Sequence, residues 1–167
     1  MEGSDYLLTC AEVAAALAGF SALIVALGQQ GSDDLSAQHR AFVESIIERS
    51  LIAVFLSFLP ILLSGLGTSP EITWLLSSGT LASYIVSMAW RSMALRRSDP
   101  AFSELVSGPA FTILFSAGML VLALQLAHAF GLGLQQQVWW YLVGLTWLLA
   151  SVAYTFYFGI RRWARAA

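Results

Sequence analysis

Long apolar runs separated by short polar segments dominate the sequence. A helix rises 1.5 Å per residue, so about 20 apolar residues cross the roughly 30 Å hydrocarbon core of a bilayer. Four such runs lack Asp, Glu, Lys and Arg, and the last, Leu105–Ile160, is long enough for two crossings. Its middle, Gly131–Gln137, is rich in glycine and glutamine and is typical of a turn. We therefore predict five transmembrane helices, over residues 6–28, 41–66, 72–95, 109–130 and 138–160.

The composition supports a membrane protein. Of the 167 residues, 58% are hydrophobic and 11% are charged, whereas soluble domains have roughly 25% charged residues. So few polar groups could not cover the surface of a soluble domain of this size. The formal charge of −2 also argues against a basic nucleic-acid interface. We expect an all-α, polytopic transmembrane helical bundle that forms a single domain over residues 1–167, with the lipid bilayer as its surroundings and no nucleic-acid partner.

The connections between the predicted helices are short. The segment Gly67–Glu71 is typical of a tight turn, and Asp99-Pro100 is typical of a helix start with Asp99 as the N-cap. We expect Ala101–Ser107 to form a short turn or helix at the membrane surface. No connection is long enough to fold as a separate domain.

The arginines predict the orientation. Arginines occur in the first loop, around the third loop and in the C-terminal tail, and one more lies in the second helix. The second and fourth loops contain no arginine or lysine. The positive-inside rule then places the N-terminus outside and the C-terminus in the cytoplasm, as in a bacterial inner membrane. Tryptophans favour bilayer interfaces, so we expect Trp74, Trp139 and Trp140 at outer helix ends and Trp90 and Trp163 at inner ends. Trp147 lies in mid-span, and we expect it to pack either against another helix or against lipid.

Three charged residues, Glu12, Glu48 and Arg49, lie well inside the predicted spans. Each charge inside a bilayer costs about 2.5–3.5 kcal/mol on insertion scales, so such groups usually face a partner or water. If the first loop turns near Ser32, Glu12 and Arg49 lie at similar depths. We predict an ion pair between them, with Glu48 as a third member. Glu44 lies nearer the inner surface.

Two interpretations of these charges remain open. A buried salt bridge would fix the register of the first two helices. Alternatively, Glu12, Glu48, Arg49 and Glu44 line a pathway for ions or protons, because a carboxylate in a low-dielectric interior can bind and release protons. In a ring-shaped oligomer, Glu12 would form an acidic ring of the kind that selects cations.

The sequence gives little support for a metal or a cofactor. Glu44 and Glu48 share one helical face, but no further Asp or His residue supplies ligands nearby. Haem would need an axial ligand such as His128, and no cysteine motif accompanies this residue. We therefore expect neither a metal site nor a cofactor. His128, three residues after Gln125, remains a possible pH sensor because imidazole titrates between about pH 5 and pH 8.

The third predicted helix contains a regular polar stripe. Its members are separated by three or four residues and therefore share one face: Thr73, Ser77, Thr80, Tyr84, Ser87 and Arg91. Small hydroxyl residues allow membrane helices to pack closely, and the same stripe could instead line a wetted pathway with Arg91 at its inner mouth. Both interpretations stay open.

Small residues mark two further helix faces. Ala15 and Gly19 are four residues apart in the first helix, as in small-xxx-small packing motifs. The fifth helix has small residues on roughly one side, at Gly144, Ser151, Thr155 and Gly159. Two such faces in a chain of five short-looped helices favour a homo-oligomer.

Two function classes follow. We expect no enzyme, because no nucleophile, metalloprotease or phosphate-loop motif is present. The first class is an oligomeric channel or pathway for ions or protons. The alternative is a structural or accessory membrane subunit whose charges only fix helix packing or bind a partner.

Overall fold

The computed structural model describes residues 3–28, 37–98, 108–132 and 137–166, and this part of the chain is helical without strands. Five helices form it, in the order predicted: α1 (Ser4–Gly28), α2 (Ala37–Gly65), α3 (Pro70–Ser98), α4 (Gly108–Ala129) and α5 (Val138–Ala166). The all-α prediction is thus confirmed for the described residues.

All five helices contain a stretch that is long and apolar enough to cross a membrane: Ser4–Leu23, Val43–Gly65, Pro70–Arg97, Phe111–Ala129 and Val138–Tyr157. The five predicted spans are confirmed in number and position. The helices themselves run further than predicted at several ends, most of all where α2 begins at Ala37 and α5 continues to Ala166. Counting uncharged residues locates the bilayer-spanning part, but backbone hydrogen bonding continues into the polar flanks.

Glycines end α2 and α4 in the same way. Gly67 has φ of +78° and Gly131 has φ of +63°, a conformation that only glycine adopts without strain. After α2, the Thr68 amide donates to Leu63 O (3.3 Å) and the Gly67 amide to Ser64 O (3.1 Å). The Leu132 and Gly131 amides repeat this pattern with Ala127 and His128. These paired bonds form a Schellman motif, which satisfies the last carbonyls of a helix within a few residues.

The turn before α3 is similarly closed. Ser69 is the N-cap residue, because its Oγ accepts a hydrogen bond from the Ile72 amide (3.4 Å) and Pro70 occupies the first helical position. The tight turn predicted for this segment is confirmed. The cap predicted at Asp99-Pro100 and the segment Ala101–Ser107 lie outside the described residues, as do positions 29–36 of the first loop and 133–136 of the fourth.

The chain divides into two compact units, and α2 and α5 contribute to both. One unit contains Met1–Glu2 and Pro60–Trp147, and the other contains Gly3–Leu59 and Leu148–Ala167. We call them the α3 unit and the α1 unit. The prediction of a single transmembrane domain stays a prediction.

In the α3 unit, α3 packs antiparallel to α4. Ser78 contacts His128 at one end of the pair, and at the other end the Arg96 guanidinium lies 4.4 Å from the ring centroid of Phe111. The buried face of α3 follows helical spacing and includes Trp74, Ser78, Leu81 and Ile85.

Two glycines allow α5 to approach its neighbours within the α3 unit. A Cβ atom on Gly118 of α4 would lie 2.7 Å from Trp147 Cζ2, so the indole occupies that space. A Cβ atom on Gly144 would lie 2.6 Å from Leu81 Cδ2 and 2.7 Å from Gln125 Nε2. Trp147 therefore packs in mid-span against another helix, one of the two surroundings that its position allowed.

In the α1 unit, α1 buries a narrow stripe of small and apolar residues. Leu7, Ala11, Ala14 and Ser21 are each at most 5% exposed and recur at helical spacing. Ala53 and Leu56 of α2 and Val152 of α5 belong to the same core. The structure does not describe the side chains at positions 24–42 and 158–166.

Replacing Gly144 with alanine tests the close approach of α5. The added methyl group would displace Leu81 or the hydrogen-bonded Gln125 amide, and we expect a net loss of about 1–2 kcal/mol in the free energy of unfolding. The matched control is Gly79→Ala in α3, where no heavy atom lies within 4 Å of the new Cβ. Unfolding in mixed micelles with increasing SDS measures both. Equal stability of the two variants would contradict the close packing at Gly144.

Candidate functional site

A group of buried polar and aromatic side chains lies where α3, α4 and α5 meet in the α3 unit. It consists of Trp74 and Ser78 from α3, Gln125 and His128 from α4, and Tyr141 from α5, and we call it the polar junction. Ser78, Gln125, His128 and Tyr141 are 0% exposed. Burying polar atoms in a membrane protein costs free energy unless they form hydrogen bonds. The hydrogen-bond partners of each side chain therefore show how this cost is reduced.

The His128 ring is held by α3. Ser78 Oγ lies 2.9 Å from Nδ1 of His128, which is hydrogen-bond distance. The ring centroid of Trp74 lies 5.3 Å from that of His128, with the planes tilted by 42°. Nε2 of His128 is buried and has no hydrogen-bond partner among the described residues. The imidazole is therefore fixed through one nitrogen and has hydrogen-bonding capacity at the other.

Gln125 connects α4 with α5. Its Nε2 donates a hydrogen bond of 2.8 Å to the backbone oxygen of Trp140. The absence of a side chain on Gly144 leaves room for this amide. Oε1 of Gln125 is buried and, within the described part of the chain, unpartnered.

Trp74 is a core residue near the start of α3, and its position at the outer bilayer interface stays a prediction. Its side chain is 5% exposed, and its ring centroid lies 5.9 Å from that of Tyr141. Trp74 is four residues before Ser78 and therefore shares its buried face. Trp139 is 48% exposed and Trp90 is 76% exposed, as expected for residues that face the bilayer or its interfaces.

The predicted polar stripe of α3 is buried at its first two positions and more exposed further along the helix. Thr73 and Ser77 are buried, Tyr84 and Ser87 are half-buried, and Thr80 and Arg91 are exposed. Thr80 donates to Leu76 O (2.7 Å) and Ser87 to Tyr84 O (2.8 Å). Hydroxyl groups bonded to their own helix can face lipid at little cost. The wetted pathway along this stripe stays a prediction.

The carboxylates predicted within or near the spans are exposed in the single chain. Glu12, Glu44 and Glu48 are exposed, and Arg49 is half-buried. Other helices of the described chain therefore do not enclose Glu12 or Glu48, and the expectation that they face a partner or water stays a prediction. The physical reason for the exposure of Glu12 is helical phase: Ala11 is 5% exposed, and the next residue is rotated by about 100° around the axis. The sequence places Glu12 at a depth but does not show which side of α1 is covered.

Arg49 contacts α5 within the α1 unit. Its Nη1 donates to Thr155 Oγ1 (3.3 Å), and Thr155 in turn donates to Ser151 O (2.7 Å). Glu12 has neither a hydrogen bond nor an ion pair with any described residue, so the predicted Glu12–Arg49 pair is not formed there. The role of these residues in a pathway stays a prediction.

One side of α1 is uncovered in the α1 unit and combines an acidic residue with small ones. Glu12, Ala15, Gly19 and Ala22 follow each other at steps of three or four residues, and all four are exposed. A Cβ atom on Gly19 would meet nothing within 4 Å. We call this surface the α1 outer face. The small-residue motif predicted from Ala15 and Gly19 is thus available to an external partner.

Sequence reasoning missed two members of the polar junction. Ser78 lies beside the predicted stripe, and Tyr141 is an aromatic residue among many. The spacing Trp74, Ser78, Leu81, Ile85 was the available signal for a buried face that includes a hydroxyl group. The contact with His128 depends on the register of α3 against α4, which the sequence does not specify.

The described residues contain no group of three or more His, Cys, Asp or Glu side chains that could hold a metal ion. No family model, no curated protein and no solved structure matches this chain. Functional inference therefore rests on the chain's own geometry.

Replacing Ser78 with alanine tests the hydrogen bond to His128. The variant leaves Nδ1 of a buried imidazole without its partner, and we expect a loss of about 0.5–2 kcal/mol in the free energy of unfolding. Ser83→Ala is the control, because Ser83 is exposed and its hydroxyl donates to the backbone of its own helix. We expect the control to change stability by less than about 0.5 kcal/mol. An equal effect of both substitutions in SDS titration would show that the bond to His128 contributes nothing.

Proposed function

We propose that this integral membrane protein assembles with copies of itself through the α1 outer face and conducts cations or protons past Glu12. The observation that carries the proposal is the exposed carboxylate of Glu12 on a small-residue face, inside a stretch of α1 that is apolar enough to cross a membrane.

The position of Glu12 makes lipid an unfavourable neighbour. Glu12 is eight residues from the start of the span Ser4–Leu23, which corresponds to about 12 Å along the helix axis. A charge at such a depth costs about 2.5–3.5 kcal/mol on insertion scales if nothing compensates it. Water, or a polar group of a second copy, removes much of this cost. An assembly that shields Glu12 from acyl chains is therefore favoured.

The neighbouring residues suit close helix contact. Ala15 and Gly19 allow the backbones of two helices to approach, which is the main source of association in membranes. Copies packed through this face bring their Glu12 carboxylates near a common axis. A ring of carboxylates attracts cations and repels anions.

Glu44 and Glu48 provide a second acidic position. Both are exposed, both lie on one face of α2, and the span of that helix begins at Val43. They are therefore within about two turns of a membrane surface. At this depth a carboxylate can reach interfacial water and concentrate cations at the mouth of a path.

Flux through liposomes tests the proposal. We expect the purified wild-type protein to pass protons or K⁺, detected with a pH-sensitive dye and a K⁺-sensitive dye in parallel. Glu12→Gln keeps the shape of the side chain but removes its charge, and we expect at least a tenfold loss of flux. The control is Glu71→Gln, since Glu71 is exposed in the first turn of α3, and its flux should equal that of wild type.

Cross-linking of Glu12→Gln in the same liposomes shows whether its assembly is retained, which separates lost conduction from lost folding. Wild-type liposomes with no flux above protein-free liposomes would contradict the proposal. The same surface would then favour a structural or accessory subunit, because the α1 outer face is equally suited to hold a helix of another protein.

A further inference from the structure

Two buried atoms of the polar junction have hydrogen-bonding capacity that the described residues do not use. They are Nε2 of His128 and Oε1 of Gln125, and both side chains are 0% exposed. Buried polar groups in proteins are nearly always hydrogen-bonded, to protein or to ordered water. These two atoms therefore indicate a binding site independent of the proposed conduction.

The contact between Ser78 and His128 is compatible with either direction, because a hydroxyl group can donate or accept a hydrogen bond. The Ser78 hydroxyl is fully buried, where an unused hydrogen is costly, so we assign Ser78 as the donor. Within the described residues its hydrogen-bond partner is Nδ1 of His128, at 2.9 Å. Nδ1 is thus the acceptor, and a neutral imidazole then carries its hydrogen on Nε2. The unused nitrogen is a donor.

Gln125 offers the complementary group. Its Nε2 is fixed as the donor to Trp140 O, which leaves Oε1 as an acceptor. Gln125 and His128 are three residues apart and share one face of α4, so their positions differ by about 4.5 Å along the helix axis.

We propose that the polar junction binds one water molecule, which accepts a hydrogen bond from His128 Nε2–H and donates one to Gln125 Oε1. One donor and one acceptor fit a neutral hydroxyl-bearing molecule, whereas a cation would be repelled by the N–H group and an anion by the carbonyl oxygen. A buried water with two to four polar partners is an ordinary structural component. This water links α3 with α5 through the two side chains of α4.

Solid-state NMR of the full-length protein in lipid bilayers tests the site. The chain has two histidines, so His39→Gln with ¹⁵N-labelled histidine gives signals from His128 alone. We expect a neutral ring with its hydrogen on Nε2, and magnetisation transfer from water to that hydrogen. A hydrogen on Nδ1, a doubly protonated ring at neutral pH, or an Nε2–H without transfer from water would each overturn the proposal.

Gln125→Leu removes the acceptor side of the site. We expect at least a threefold weaker transfer from water to Nε2–H in this variant, and unchanged transfer would overturn the assignment of Gln125. If the variant does not fold, the measurement on the parent protein decides the proposal by itself.

Discussion

The hydrocarbon interior offers no water, so each polar atom inside it must find a partner in the protein. This constraint explains most of the local features of the structure. Gly67 and Gly131 close the ends of α2 and α4 so that carbonyl groups are satisfied within the turn. Thr80 and Ser87 bond to their own helix. Where a helix cannot satisfy its own polar side chains, as at Ser78 and His128, another helix supplies the partner.

The same constraint distinguishes the two units of the chain. In the α3 unit, the side chains of the polar junction are enclosed, and Gly144 brings α5 close enough for Gln125 to bond to Trp140. In the α1 unit, Arg49 is bonded to Thr155, whereas Glu12 is exposed on the α1 outer face. In the polar junction, the two atoms without a partner among the described residues are the two that we assign to water. Glu12 has no such enclosed surroundings within the single chain, which is why the proposed assembly involves the α1 outer face.

The sequence predicted the helices well because span length and charge are properties of a segment. Apolar runs, the Gly131 turn and the Gly67 turn all follow from local composition. The side of each helix that is covered is a property of packing, so the sequence did not predict that Trp74 is enclosed and Glu12 exposed in the single chain. Ser78 meets His128 only because α3 and α4 adopt one register, and no local pattern encodes that register. Gly118 and Gly144 can be recognised in the sequence as small residues that permit close helix packing. The sequence does not show that Trp147 packs against Gly118 or that Gln125 packs against Gly144.

Disulfide cross-linking in bilayers tests the central claim, that the α1 outer face contacts a second copy. In a Cys10→Ser background, Ala15→Cys places a thiol on this face, and Val13→Cys places one at an exposed position about 200° away around α1. The account predicts covalent dimers for Ala15→Cys and few for Val13→Cys. Equal cross-linking at both positions, or cross-linking at Val13→Cys alone, would contradict it.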